Sequence, residues 1–137
     1  MFTLRSWPPP TWYVTADVKN PSHLITSYCL SFKFLVEPGY AMPLFHFHAI
    51  GKFWAKGLVN GNGNHYLYDT YNLPSHQYTT IRIEHVLESG LYYYKVYADG
   101  ILKRSTQNTD VRSFENVKVM SGNCPAPVKN LDWGPLP

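Results

Sequence analysis

"QYTTIRIEHVLESGLYYYKVYADGILKRS", residues 77–105, decides the fold. In its first third Tyr78, Thr80, Arg82 and Glu84 alternate with Thr79, Ile81, Ile83 and His85, the period of two that marks a half-buried strand. Glu88-Ser89-Gly90 then reads as a turn. In the next run Tyr92, Tyr94 and Val96 fall on one face and Tyr93, Lys95 and Tyr97 on the other. Asp99-Gly100 closes it with a strong hairpin signal, because both central residues of a type I′ turn must accept positive φ. Aromatics on both faces of one strand predict an outer surface that something covers.

Working outward, the same alternation recurs. "TWYVTADVKN" (11–20) sets Trp12, Val14, Ala16 and Val18 in register, and "ITSYCLSFKFLVE" (25–37) sets Tyr28, Leu30, Phe32, Phe34 and Val36 against Cys29, Ser31, Lys33 and Leu35. "SFENVKVMS" (113–121) and "VKNLDW" (128–133) complete the series. No run of ten or more residues carries a helical apolar stripe, so the chain is predicted to be all-β, a two-sheet sandwich or a closed barrel. The 11 prolines are expected to gather outside the strands, at Pro8-Pro9-Pro10, Pro125, Pro127, Pro135 and Pro137, since proline cannot donate to a ladder. With no internal repeat and no linker, residues 1–137 are expected to form one domain. The segments 2–7 and 128–133 are expected to lie side by side.

Composition narrows the function classes. The chain is 45% hydrophobic and only 15% charged, with 11 Tyr, 7 Phe and 4 Trp, which suits strands, interfaces and sugar-stacking surfaces. The net charge of +3 is scattered, which argues against nucleic acid or a membrane surface as partner. No stretch approaches the roughly 20 apolar residues of a membrane span. Cys29 and Cys124 allow one bridge, which an oxidising compartment would form and a reducing one would leave as thiols.

Catalytic and metal signals are weak. His46 and His48 in "FHFH" share a strand face, yet no carboxylate follows before Asp69 and no third ligand is spaced to join them, so no metal is expected. Glu37, Glu84, Glu88 and Glu115 are isolated rather than paired as glycoside hydrolysis needs, and no G-x-S-x-G elbow occurs. The chain is read as a non-enzyme that needs no cofactor.

"KGLVNGNGNHYLYD" (56–69) carries the clearest binding chemistry. Its overlapping Asn-Gly pairs predict a hairpin tip at 61–63, joining "FWAKGLV" to "HYLYDT". The same residues offer amide donors and acceptors in Asn60, Asn62 and Asn64, a ring nitrogen in His65, and stacking faces in Tyr66, Tyr68 and Trp54. A rigid turn and a ligand platform are compatible readings.

From residue 59 onward the chain resembles the concanavalin A-like, laminin-G-like jelly-roll domains of animal extracellular proteins. The resemblance lies in the "NGN"-aromatic hairpin, the "LPSHQYTTIRI" strand, "YYKVYADG", "FENVKVMS" and the closing "VKNLDW". Phe114, Asn116, Val117, Val119, Asn130 and Leu131 stand at the framework positions. "LRSWPPPTWYVTADVK" and "PLFHFHA" are similar to the family's opening strands, and place His46 at a core-strand position. Against the family pattern, "VEPGYAMP" holds only Glu37 where relatives carry an acidic, calcium-holding insert, and "GNCPA" replaces an aromatic segment. The galectin motif H-x-N-P-R is absent, so no β-galactoside specificity is implied.

The resemblance implies a jelly-roll sandwich of two antiparallel sheets, in a secreted or extracellular, lectin-like recognition domain. With the residues above, it points to a glycan or glycoprotein held at the sheet rim. Asn60, Asn62, Asn64 and His65 would supply hydrogen bonds, and Trp54, Tyr66 or Tyr40 would stack. The alternative is an adhesive module that binds protein or forms a homo-oligomer through the aromatic face of "LYYYKVY".

Overall fold

A computed structural model describes residues 4–5, 11–19, 28–36, 40–48, 53–70, 73–74, 76–111, 117–121 and 128–136. Among the described residues eleven strands form two antiparallel sheets. The six-stranded sheet runs β1 (Leu4–Arg5), β10 (Val117–Ser121), β3 (Tyr28–Val36), β4 (Tyr40–His48), β5 (Phe53–Val59), β6 (Asn62–Thr70). The five-stranded sheet runs β11 (Val128–Pro135), β2 (Trp12–Val18), β7 (Thr79–Glu88), β8 (Leu91–Ala98), β9 (Ile101–Asn108). Each sheet is therefore one meander, β3 to β6 or β7 to β9, extended at one side by strands from the chain ends. The expected all-β sandwich is what forms.

The strand ends pair differently from expectation. β11 lies against β2, with Trp133 opposite Val14, whereas β1 pairs with β10, Leu4 opposite Lys118. Thus 4–5 and 128–133 are not neighbours but belong to different sheets. The prolines do not all keep outside the strands as expected: Pro43 lies within β4 and Pro135 ends β11.

Three two-residue turns share one geometry. Asn60-Gly61, Ser89-Gly90 and Asp99-Gly100 all have positive φ at both positions, 51° and 81° in the first. Type I′ turns of this kind match the right-handed twist of the strands they join. The first sits one residue earlier than the sequence pattern predicts: Val59 pairs directly with Asn62, so Asn62-Gly63 lies inside β6.

The alternation read from the sequence becomes the core. Trp12, Val14, Ala16, Val18, Ile81, Ile83, Tyr94, Val96 and Ala98 from the five-stranded sheet meet Phe53, Ala55, Leu58, Val59 and Leu67 from the other. Trp133 and Leu73 close the cluster. Gly57 is small because Leu67 presses over it; a Cβ there would stand 2.7 Å from Leu67 Cδ1. Tyr94 crosses between the sheets, its buried hydroxyl donating to the Leu58 carbonyl at 2.6 Å. Burial pushes that hydroxyl far above the usual phenol range.

At the opposite side Asp17 ties three strands together. It accepts from Thr80 Oγ1 at 2.5 Å and from Asn130 Nδ2 at 2.8 Å. Asn130 has φ 56° and sits where the β11–β2 register slips between Lys129 and Asp132, an irregularity that accompanies the reach of its amide to Asp17 on β2. The Thr80 bond, then the Asn130 bond and nearby Lys129, hold the Asp17 carboxyl below its ordinary value. A depressed native pKa contributes stability that is present above about pH 3.9 and is lost as pH falls through the native value. Asp17→Asn should therefore flatten the acid limb of a stability–pH profile, measured by urea melts between neutral pH and pH 2. An unchanged limb would show that the carboxylate contributes nothing.

Candidate functional site

The pleat of β5 and β6 sorts the predicted residues by face. In β5, Phe53 and Ala55 enter the core, so Trp54 and Lys56 stand on the outer surface of the six-stranded sheet. Lys56 is directly opposite Tyr66 on β6, and Trp54 is opposite Asp69. Tyr66 is 39% exposed and meets Trp54 edge to face, with ring centroids 5.4 Å apart and planes at 61°. The Lys56 ammonium lies 4.9 Å from the Tyr66 ring centroid and 5.9 Å from that of Trp54. Both distances are within cation–π range, and they fix the ammonium beside the aromatic notch. Exposed Asp69 adds acceptor oxygens at the other side of Trp54.

The remaining predicted residues separate from this group. His65 pairs with Gly57, one step from the Lys56–Tyr66 pair, so the alternation turns it to the opposite face from Tyr66. Asn60 is exposed, but its side-chain oxygen is spent on the protein's own groups. Its Oδ1 accepts from Thr109 N at 2.7 Å and Thr109 Oγ1 at 2.8 Å, while its own N–H donates to Asn108 Oδ1 at 3.0 Å. Asn62 opens β6 as an exposed residue at the rim. Asn64 follows within β6 and Tyr40 begins β4 opposite Val36; their side chains lie outside the described residues. Cys29 lies in β3 opposite Phe47, and Cys124 is outside the described residues, as is any bond between them.

In the ladder Asp69 pairs with Trp54, Trp54 with His46 and His46 with Leu30. Among the described residues no three His, Cys, Asp or Glu side chains gather as a metal site. Lys56 and Asp69 were not singled out from the sequence. Lys56 is legible there, two residues after Trp54 and so on its face. Asp69 is not, because a bulge at the Ala55/Lys56 step shifts the β6 register by one.

Below the tip, Asn60 belongs to a clasp between the sheets. Asn108, 5% exposed at the end of β9, also accepts from Asp110 N at 3.2 Å. With Oδ1 taken by two backbone N–H groups, its amide nitrogen faces His85 Nε2 at 3.1 Å and donates to it. His85 Nε2 is then an acceptor and the ring proton sits on Nδ1. The imidazole is 3% exposed and stacks between Trp12 at 5.8 Å and Tyr92 at 5.4 Å.

Solved structures repeat this architecture. Sheep galectin-11, in complex with glycerol, aligns with a TM-score of 0.59 and 13% identity over 97% of this chain and 95% of its own. The carbohydrate-binding module CBM66 from Bacillus subtilis aligns at 0.56 and 12%, over 97% and 80%. The alginate lyase AlgAT5 from polysaccharide lyase family 7 aligns at 0.55 and 14%, over 82% of this chain. The chain spans about half the length of that lyase, 46%. No protein-family model and no curated protein matches the sequence. The fold is a concanavalin A-like jelly-roll β-sandwich.

Proposed function

We propose that the chain is a non-enzymatic carbohydrate-binding module whose ligand rests on the outer face of the six-stranded sheet beside the β5–β6 hairpin. The observation that carries this reading is the Trp54–Tyr66 notch with the Lys56 ammonium beside both rings. Two aromatic planes near 60° present faces to the C–H side of a pyranose, while Lys56 donates and Asp69 accepts toward its hydroxyls. Asn62, Asn64 and Tyr40 extend the same ligand's contacts toward the rim. The galectin and the carbohydrate-binding module among the structural neighbours support a saccharide as the ligand class. The lyase shows that the architecture also carries catalysis. The acidic residues, isolated rather than paired in the sequence, favour binding for this chain. A secreted or extracellular setting belongs to the same proposal.

A glycan-array screen of the folded protein, with and without calcium, tests it. A clustered, saturable set of hits that ignores calcium is the expected result. A blank array would favour a protein-binding or self-associating module. The observation behind that second reading is the β8–β9 hairpin, where Leu91, Ile101 and Leu102 are 45%, 61% and 47% exposed beside an open sheet edge.

A further inference from the structure

The outer face of the five-stranded sheet carries a second organised cluster, on the far side of the sandwich from Trp54. The ladder sets Thr15 opposite Arg82, and Arg82 opposite Tyr97, across the three central strands β2, β7 and β8. Glu84 follows two residues after Arg82 on the same face, and Thr80 precedes it by two. With Gly100 of the β8–β9 turn, these residues line an open depression of about 400 Å³. That volume falls within the ~300–1,000 Å³ of small-molecule sites.

Arg82 is braced on two sides. Its Nε donates to Glu84 Oε2 at 2.6 Å, and its guanidinium carbon lies 4.5 Å from the centroid of the Tyr13 ring. Tyr13 is itself held by its hydroxyl, which donates to Asp132 Oδ2 at 2.8 Å. The Glu84 bond uses one of the five guanidinium N–H groups, so the terminal donors remain for other partners. The Arg82 and Glu84 side chains are 35% and 18% exposed, half withdrawn from water yet reachable. A braced donor fork thus stands beside a carboxylate acceptor with its charge already balanced.

We propose that this depression is a second binding site, for a neutral sugar or polyol presenting a vicinal diol. Adjacent hydroxyls offer one acceptor and one donor at a spacing that an Arg–Glu pair matches, with the Thr15 and Tyr97 hydroxyls around it and the Thr80 oxygen, whose proton goes to Asp17, left as an acceptor. The charge balance selects against an anion, which would meet the Glu84 carboxylate at the same lining. Gly100 leaves the rim open, since a Cβ there would meet nothing within 4 Å, and its φ of +80° disfavours any side chain. This site is independent of the Trp54 site.

Residue-resolved NMR separates the two faces. Methyl α-mannopyranoside, myo-inositol and sodium sulfate would be titrated into the whole chain while the amide and Arg82 Nε–H signals are followed. Expected are saturable shifts at Thr15, Arg82, Glu84 and Tyr97 with at least one neutral probe, at millimolar Kd, and none with sulfate. Arg82→Gln and Glu84→Gln should each weaken that binding about tenfold or more, as loss of a charge-assisted hydrogen bond implies. Their remaining spectra should be unchanged, because both side chains sit outside the core. Shifts confined to the Trp54–Tyr66 face, a stronger response to sulfate, or full binding by both variants would each overturn the proposal. So would silence from all three probes, whatever the Trp54 face does.

Discussion

Asn108→Ala is expected to destabilise the fold by about 3 kcal/mol, because it strands several buried or half-buried polar groups at once. The Asn60 and Asp110 N–H groups lose the oxygen they share, and His85 Nε2 loses its donor. None of these finds an easy substitute, since Asn108 is 5% exposed and His85 is 3% exposed within its aromatic stack. The loss also uncouples β9 from the β5–β6 turn, which the Asn60–Thr109 bonds alone would then hold. Asn108→Asp should cost less than Asn108→Ala, because an Asp oxygen still accepts from the Asn60 and Asp110 N–H groups and a shift of the His85 ring proton to Nε2 restores a hydrogen bond. Thr109→Val removes one hydroxyl from the same clasp and keeps the backbone donor, so it should cost under about 1 kcal/mol. Urea denaturation of the three variants gives the ranking, and hydrogen exchange should show the Asn60 and Asp110 amides opening locally in Asn108→Ala. A value for Asn108→Ala within about 0.5 kcal/mol of the parent would mean the clasp is surface ornament rather than a brace between sheets.

Trp54→Ala should weaken saccharide binding about 30-fold, the effect of removing a central aromatic anchor worth about 2 kcal/mol. Half-buried Trp54 also supports the sheet, so a second substitution separates binding from folding. Tyr66→Ala removes a ring that is 39% exposed, and should lower affinity several-fold with little change in Tm. His65→Ala serves as the contrast. The pleat turns His65 away from the notch, so its removal should leave affinity unaltered. Titration calorimetry against the best array ligand measures all three. Binding that survives Trp54→Ala and Tyr66→Ala but fails in His65→Ala would move the site to the other face of β6 and end the present assignment.

Much of the architecture was legible in the chain because a strand's side-chain period is two and its turns have narrow chemistry. Ile81, Ile83, Tyr94 and Val96 fall on the core side where alternation places them, and Asp99-Gly100 turns where the dipeptide predicts. The site was legible only in part. Trp54 and Tyr66 do meet, but their neighbours in sequence disperse: Asn60 binds Thr109, and His65 takes the opposite face. Local pattern alone offers two equal Asn-Gly pairs for the hairpin. The Asn60 pair is the one used because its backbone and side chain bond to Asn108 and Thr109, nearly fifty residues away.

The sequence by itself therefore determined the strands, most of their inward faces and the type of their turns, all set by steric preferences within a few residues. Tertiary structure decided which sheet the terminal strands joined, which Asn-Gly pair became the tip, and which polar side chains shared a face. The physical reason is register. One extra residue in β6 exchanges the faces of everything beyond it, and that shift depends on contacts such as Leu67 over Gly57 that no local pattern encodes.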